Sequence, residues 1–181
     1  MNSFTTLTSI AAPLMRVNID TDTVIRIERM VGNDYRGTLG QWCFGALRYL
    51  ADGSENPEFI LNRAPYRDAE ILIVGPNFGC GSSREAAVWS LQEMGIKAII
   101  GSGFGDIFYN NCFQNGVLPV ILDAAVVRSL AGEVERSQGN RCKPDAGFHP
   151  QQAGLSQRQD PGRRRQFRLR LEPRARAMGA A

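Results

Sequence analysis

Between Ala69 and Leu122 the chain alternates apolar runs with amphipathic ones, and this constrains its fold more than any other feature. Glu70-Ile71-Leu72-Ile73-Val74-Gly75 reads as a buried strand and Arg84–Met94 as a helix. Lys97-Ala98-Ile99-Ile100 reads as a second strand, Asp106–Phe113 as a second helix, and Val117–Leu122 as a third strand. Two consecutive βαβ units result, with parallel strands and right-handed crossovers, because helical connections do not close hairpins. Ala87, Leu91 and Met94 recur at helical spacing and mark the face turned to the sheet. The expected class is α/β.

The first crossover carries an unusual corner, Asn77-Phe78-Gly79-Cys80-Gly81-Ser82-Ser83-Arg84-Glu85. Here a strand turns into a helix at the carboxyl end of a parallel sheet, where open α/β sheets bind ligands. The first N–H groups of a helix lack internal partners and carry partial positive charge. Glycines admit a ligand close to the backbone, and a guanidinium fork matches a carboxylate or phosphate. The corner therefore reads as a seat for a small anion beside two hydroxyls. The plainer reading makes Ser82 or Ser83 the helix N-cap and Cys80 a small packing residue.

Elsewhere the pattern is weaker. Phe4–Ile10 alternates and reads as a strand ended by Pro13. Val17–Ile25 mixes acids and small polar residues into an apolar run, as in a turn beside a strand, with Asp20 a turn former. Gly32–Gly40 reads as a polar loop carrying Arg36, Cys43–Leu50 as a short helix, and Asp52–Pro57 as a turn. Asn110-Asn111-Cys112 reads as structural. Ala124–Glu135 reads as a helix. Residues 1–135 are expected to form one domain. Residues 136–181 are expected to be an Arg-rich tail of weak order with one candidate edge strand, Phe167–Leu171.

Composition narrows the function. Residues 151–181 hold eight arginines against only Asp160 and Glu172, so the net +3 of the chain comes from the tail. A basic tail suggests nucleic acid, yet Phe167 is its only aromatic and offers no stacking platform. Nucleic-acid binding is therefore not expected. No apolar run spans a membrane and no secretory leader is evident. The four cysteines form no CxxC pair, so a zinc or iron–sulfur site within this chain is not expected. They read as free thiols of a cytoplasmic protein. His149 is the only histidine, which argues against a Ser-His or Cys-His nucleophile.

Four ordered motifs carry a family resemblance: Asn18-Ile19-Asp20-Thr21-Asp22; Leu47-Arg48-Tyr49 with Asp52–Pro57; Asn77–Glu85; and Asp106–Cys112. With them the chain resembles the small subunits of isopropylmalate dehydratase, in the aconitase superfamily, over about residues 4 to 130. The resemblance implies an aconitase-type swivelling β/β/α domain. It implies reversible dehydration and rehydration of a hydroxy-dicarboxylate in leucine synthesis. It also implies a heterodimer whose large subunit carries the iron–sulfur cluster, with no cofactor bound by this chain and no activity for it alone. By the same resemblance Ser82 is the catalytic base, Ser83, Arg84, Gly81 and Asp22 hold substrate, and Arg36 is a further substrate contact.

The chain departs from the family pattern at Ala86, where histidine is frequent, and at Arg26, where proline is common. Only Phe167–Pro173 is similar to the family's closing strand. Two other readings stand beside this one. One is a paralogous hydro-lyase subunit for another hydroxy-dicarboxylate or tricarboxylate. The other is a non-catalytic protein using its basic tail on nucleic acid.

Overall fold

The computed structural model describes residues 6–31, 36–139, 155–158 and 166–170. Strands β1 (Thr6–Leu14), β2 (Ala69–Val74), β3 (Ala98–Gly101) and β4 (Leu118–Ile121) pair in parallel. Strands β5 (Leu155–Arg158) and β6 (Gln166–Arg170) extend the sheet antiparallel, giving the order β4-β3-β2-β1-β6-β5. The helices are α1 (Thr21–Val24), α2 (Gly45–Arg48), α3 (Glu85–Glu93), α4 (Asp106–Asn115) and α5 (Ala124–Gly139). Both βαβ units are present, as β2-α3-β3 and β3-α4-β4.

The central strands are apolar because both faces are covered: Ile71, Leu72, Ile73, Val74, Ala98, Ile99 and Ile100 are all buried. On α5, Val127, Leu130, Ala131 and Val134 make one buried stripe at helical spacing, and the helix packs on β1, β2 and β3. On α3, Ala87 and Leu91 are buried as expected, and Met94 packs against the core. Gly116 closes α4 in the left-handed conformation, its N–H reaching back to the Cys112 and Phe113 carbonyls.

Three expectations are corrected. Pro13 does not end β1; it pairs with Ile73 inside the ladder. The Leu14 carbonyl accepts from Gly75 N–H on the β2 side. Backbone polar groups alternate along a strand, so Pro13's missing donor falls on the opposite side, beyond the stretch Thr6–Ser9 that β6 covers. Second, α3 begins one residue later than expected and its N-cap is Arg84, which makes no side-chain cap; neither serine caps it. Third, the candidate strand near Phe167 is no edge. As β6 it lies between β1 and β5, and β5 lacked any periodic signal in the sequence.

Candidate functional site

Three loops leave the carboxyl ends of β1, β2 and β3 and are stitched together by backbone bonds. Asn18 N–H donates to the Pro76 carbonyl at 3.1 Å, Gly79 N–H to Ile19 at 2.7 Å, and Thr21 N–H to Cys80 at 2.9 Å. On the other side Phe78 N–H donates to Gly103 and Gly105 N–H to Phe78. The β2 loop is thus sandwiched between its neighbours. Phe78 pins it from below, fully buried, with its ring 5.4 Å from Phe108 and 6.4 Å from Phe44.

Close backbone approach explains the glycines here. A Cβ on Gly79 would lie 2.2 Å from Phe108 Cγ, and its φ of +72° already disfavours a side chain. A Cβ on Gly105 would lie 2.4 Å from the Gly79 carbonyl oxygen. Asn77 and Asn18 both adopt positive φ, and the Asn77 amide donates to Asn18 Oδ1 at 2.9 Å, a strain that short polar side chains tolerate.

This scaffold presents Gly81, Ser82 and Ser83 to solvent. Among the described residues neither serine hydroxyl has a hydrogen-bond partner. Arg84 is half-buried and its Nη1 meets the Asp22 carboxylate in an ion pair. Arg84 therefore keeps donors to spare, held in one orientation at the N-terminus of α3. Asp20 caps α1 by accepting from Thr23 N–H at 2.7 Å. Hydrogen bonds with Thr23 hold its carboxyl below the ordinary value of 3.8. It is structural, while Asp22, in the single turn that Asp20 caps, pairs with Arg84 at the corner.

The structure brings Gly81, Ser82, Ser83, Arg84 and Asp22 together. It does not bring Arg36 to them. The Arg36 guanidinium stands 4.4 Å over the Trp89 ring, on the second turn of α3, and among the described residues it bonds to none of the five. Its loop is latched to the end of α3 by Glu93, whose carboxylate accepts from Gly37 N–H at 2.7 Å and Gly40 N–H at 3.0 Å. Thr21 escaped the sequence reading. It is buried, and its hydroxyl donates to the Ser82 carbonyl at 3.1 Å. Its only signal was its place between two aspartates.

The described residues of this chain do not fit an iron–sulfur cluster. Cys43, in the turn before α2, and Cys112, in α4, are buried apart, and burial pushes both thiols up to about 12, whereas a cluster needs thiolates. Among the described residues no group of three His, Cys, Asp or Glu is placed to hold a metal ion. No helix of the described residues is long and apolar enough to cross a membrane.

The parallel sheet, the sandwiched glycine corner and the paired arginine define a class. A family model described as "Aconitase C-terminal domain" matches residues 1–125, and the chain belongs to that family. Its relatives include 3-isopropylmalate dehydratase small subunits. That of Cereibacter sphaeroides is 48% identical over 145 residues, covering 80% of this chain and 72% of the relative. That of Rhodopseudomonas palustris is 49% identical over 147 residues, covering 81% and 73%. A solved 3-isopropylmalate dehydratase (leuD) structure from Methanocaldococcus jannaschii is 29% identical with a TM-score of 0.50, over 65% of this chain and 63% of that one.

The two departures from the family pattern fall at Ala86 and Arg26. Ala86 is buried in the first turn of α3. Arg26 has φ −73°, which proline also adopts.

Proposed function

We propose that this chain is the small subunit of a 3-isopropylmalate dehydratase and that residues 81–84 with Asp22 are its share of the active site. The observation that carries this is the corner itself: two exposed serine hydroxyls, unpartnered among the described residues, beside an ion-paired arginine at a helix N-terminus, in a chain 49% identical to such a subunit over 147 residues.

The reaction interconverts 2- and 3-isopropylmalate by loss and return of water. A proton must leave a carbon next to a carboxylate, and a hydroxyl must leave its neighbour. Ser82 Oγ takes that proton and returns it on rehydration. To accept the proton that oxygen must stand as the alkoxide, and the positive end of α3 and the Arg84 guanidinium favour its negative charge, which the transferred proton then neutralises. Arg84 and Ser83 hold a substrate carboxylate, while Asp22 fixes the guanidinium. Loss of the hydroxyl would call for a Lewis acid that these residues do not supply; an iron–sulfur cluster held by a large-subunit partner would supply it.

The test is anaerobic co-expression with the large subunit and a spectrophotometric assay of isopropylmalate interconversion. The complex turns over, this chain alone does not, and Ser82→Ala lowers kcat by about 10²–10⁴-fold, as for loss of a positioned base. A wild-type complex inactive on both isomers, or Ser82→Ala with full turnover, rejects the reading.

A further inference from the structure

Thr21 makes two bonds that straddle Gly81. Its N–H donates to the Cys80 carbonyl at 2.9 Å and its hydroxyl donates to the Ser82 carbonyl at 3.1 Å. Thr21 is 1% exposed, so both bonds lie on the protein side of the corner. Gly81 sits directly above it: a Cβ there would lie 3.5 Å from Thr21 Oγ1, and its φ is +99°. A trans peptide is planar, with N–H and C=O pointing opposite ways. Among the described residues the only cis bond is Ala64–Pro65. With the Cys80 and Ser82 carbonyls drawn inward to Thr21, the N–H groups of their peptide units, those of Gly81 and Ser83, must point outward. Residues 81–83 are exposed on that side, and among the described residues neither N–H has an acceptor.

We infer that Thr21 is a positioning residue for the dehydratase site: by binding the carbonyls on either side of Gly81 it turns the Gly81 and Ser83 N–H groups, and the Ser82 side chain between them, toward a substrate carboxylate. This rests on the reading of residues 81–84 as the substrate seat. The hydroxyl is the part that a substitution removes cleanly. Valine keeps the branched shape of threonine and the backbone bond to Cys80, but leaves the Ser82 carbonyl without its donor. The Ser82–Ser83 peptide is then free to rotate. Serine keeps the hydroxyl.

The experiment compares Thr21→Val and Thr21→Ser, each co-expressed with the large subunit. Thr21→Val lowers kcat/KM for isopropylmalate by about tenfold or more, since a misplacement near 1 Å costs on the order of a hundredfold, with subunit association unchanged. Thr21→Ser recovers most of the loss. Equal activities for valine and wild type, or equal losses for valine and serine, overturn the inference. A second readout needs no turnover. In NMR spectra of the full chain, Thr21→Val shifts the Ser83 amide resonance and speeds its hydrogen exchange, while β2 and β3 amides stay put. Unchanged Gly81 and Ser83 amides overturn the inference even if the enzyme proves inactive. Shifted amides with a wild-type complex inert toward isopropylmalate leave Thr21 as the clip and reject the substrate instead.

Discussion

At the scale of single residues, Arg84 and the cysteines give opposed expectations. Arg84 is proposed as a binding group and is ion-paired with Asp22, and the pair is too accessible to contribute much stability. Arg84→Lys keeps the charge but loses the planar fork. In the assembled complex kcat/KM is expected to fall about 10- to 100-fold, the equivalent of one charge-assisted hydrogen bond, with the melting temperature nearly unchanged. Steady-state kinetics and a melt on the same sample check both halves; unaltered kinetics would make Arg84 a surface residue. Cys43 and Cys112 are core residues. With their thiols pushed up to about 12, roughly one molecule in ten thousand is thiolate at pH 8. Iodoacetamide at that pH is expected to label Cys80 and to reach Cys43 and Cys112 only after denaturation. Peptide mass spectrometry reads this directly, and equal labelling of all three in the native chain would mean that the core opens. Ser82, Ser83 and Arg84 were legible because a glycine corner after a strand needs them for little else. Thr21 was not, because its role depends on a bond to a residue 61 positions away.

At the scale of elements, periodic segments were read well and irregular ones were not. The helices α3, α4 and α5 and strands β2 to β4 follow apolar spacing, and their bounds differ from the sequence reading by a few residues at most. The segment from Gly40 to Asp68 has no period, and its order comes from side chains bonding to backbone. Asn62 is its hub. It is nearly buried, donates to the Arg48 carbonyl at 2.7 Å and the Asn56 carbonyl at 2.9 Å, and accepts from Arg48 Nε at 3.3 Å. Asn56 in turn donates to the Leu47 carbonyl, and Arg48 to Gly40. The residues of the Leu47-Arg48-Tyr49 and Asp52–Pro57 motifs thus knit a loop together, a role no turn propensity reveals. Asn62→Ala strips three bonds, while the Arg48 and Asn56 carbonyls keep backbone donors in Asn56 N–H and Phe59 N–H. The expected loss is about 1–2 kcal/mol of stability, the scale of lost hydrogen bonds that orphan no carbonyl. Urea titration of the full chain measures it; a loss below about 0.5 kcal/mol, the scale of ordinary surface substitutions, would show that Asn62 is dispensable.

At the scale of the whole molecule, the sheet is a parallel body joined to an antiparallel flank. The sequence suggested that residues beyond 135 were a dispensable basic tail, because arginine-rich, proline-containing stretches rarely nucleate a core. The pairing argues otherwise. Thr6 to Ser9 of β1 face Arg170 to Phe167 of β6, and β6 is flanked on its far side by β5. Deleting residues 154–181 therefore converts β1 from an interior strand into an edge and strips its first half of backbone partners. The β1–β2 ladder and the cover by α5 remain, so the body should still fold, but less stably. Losing a few ladder bonds at about 1 kcal/mol each lowers the melting temperature by roughly 5–15 °C. Leu169→Pro in the full chain separates pairing from chain length. Leu169 faces both Leu7 and Leu155, and proline removes its N–H from the ladder. Both variants should melt early by similar margins, and both should retain the Ser82–Arg84 corner, which lies at the opposite end of β1. Melts of the two variants that coincide with the wild type would mean that β1 to β4 are stable without their flank.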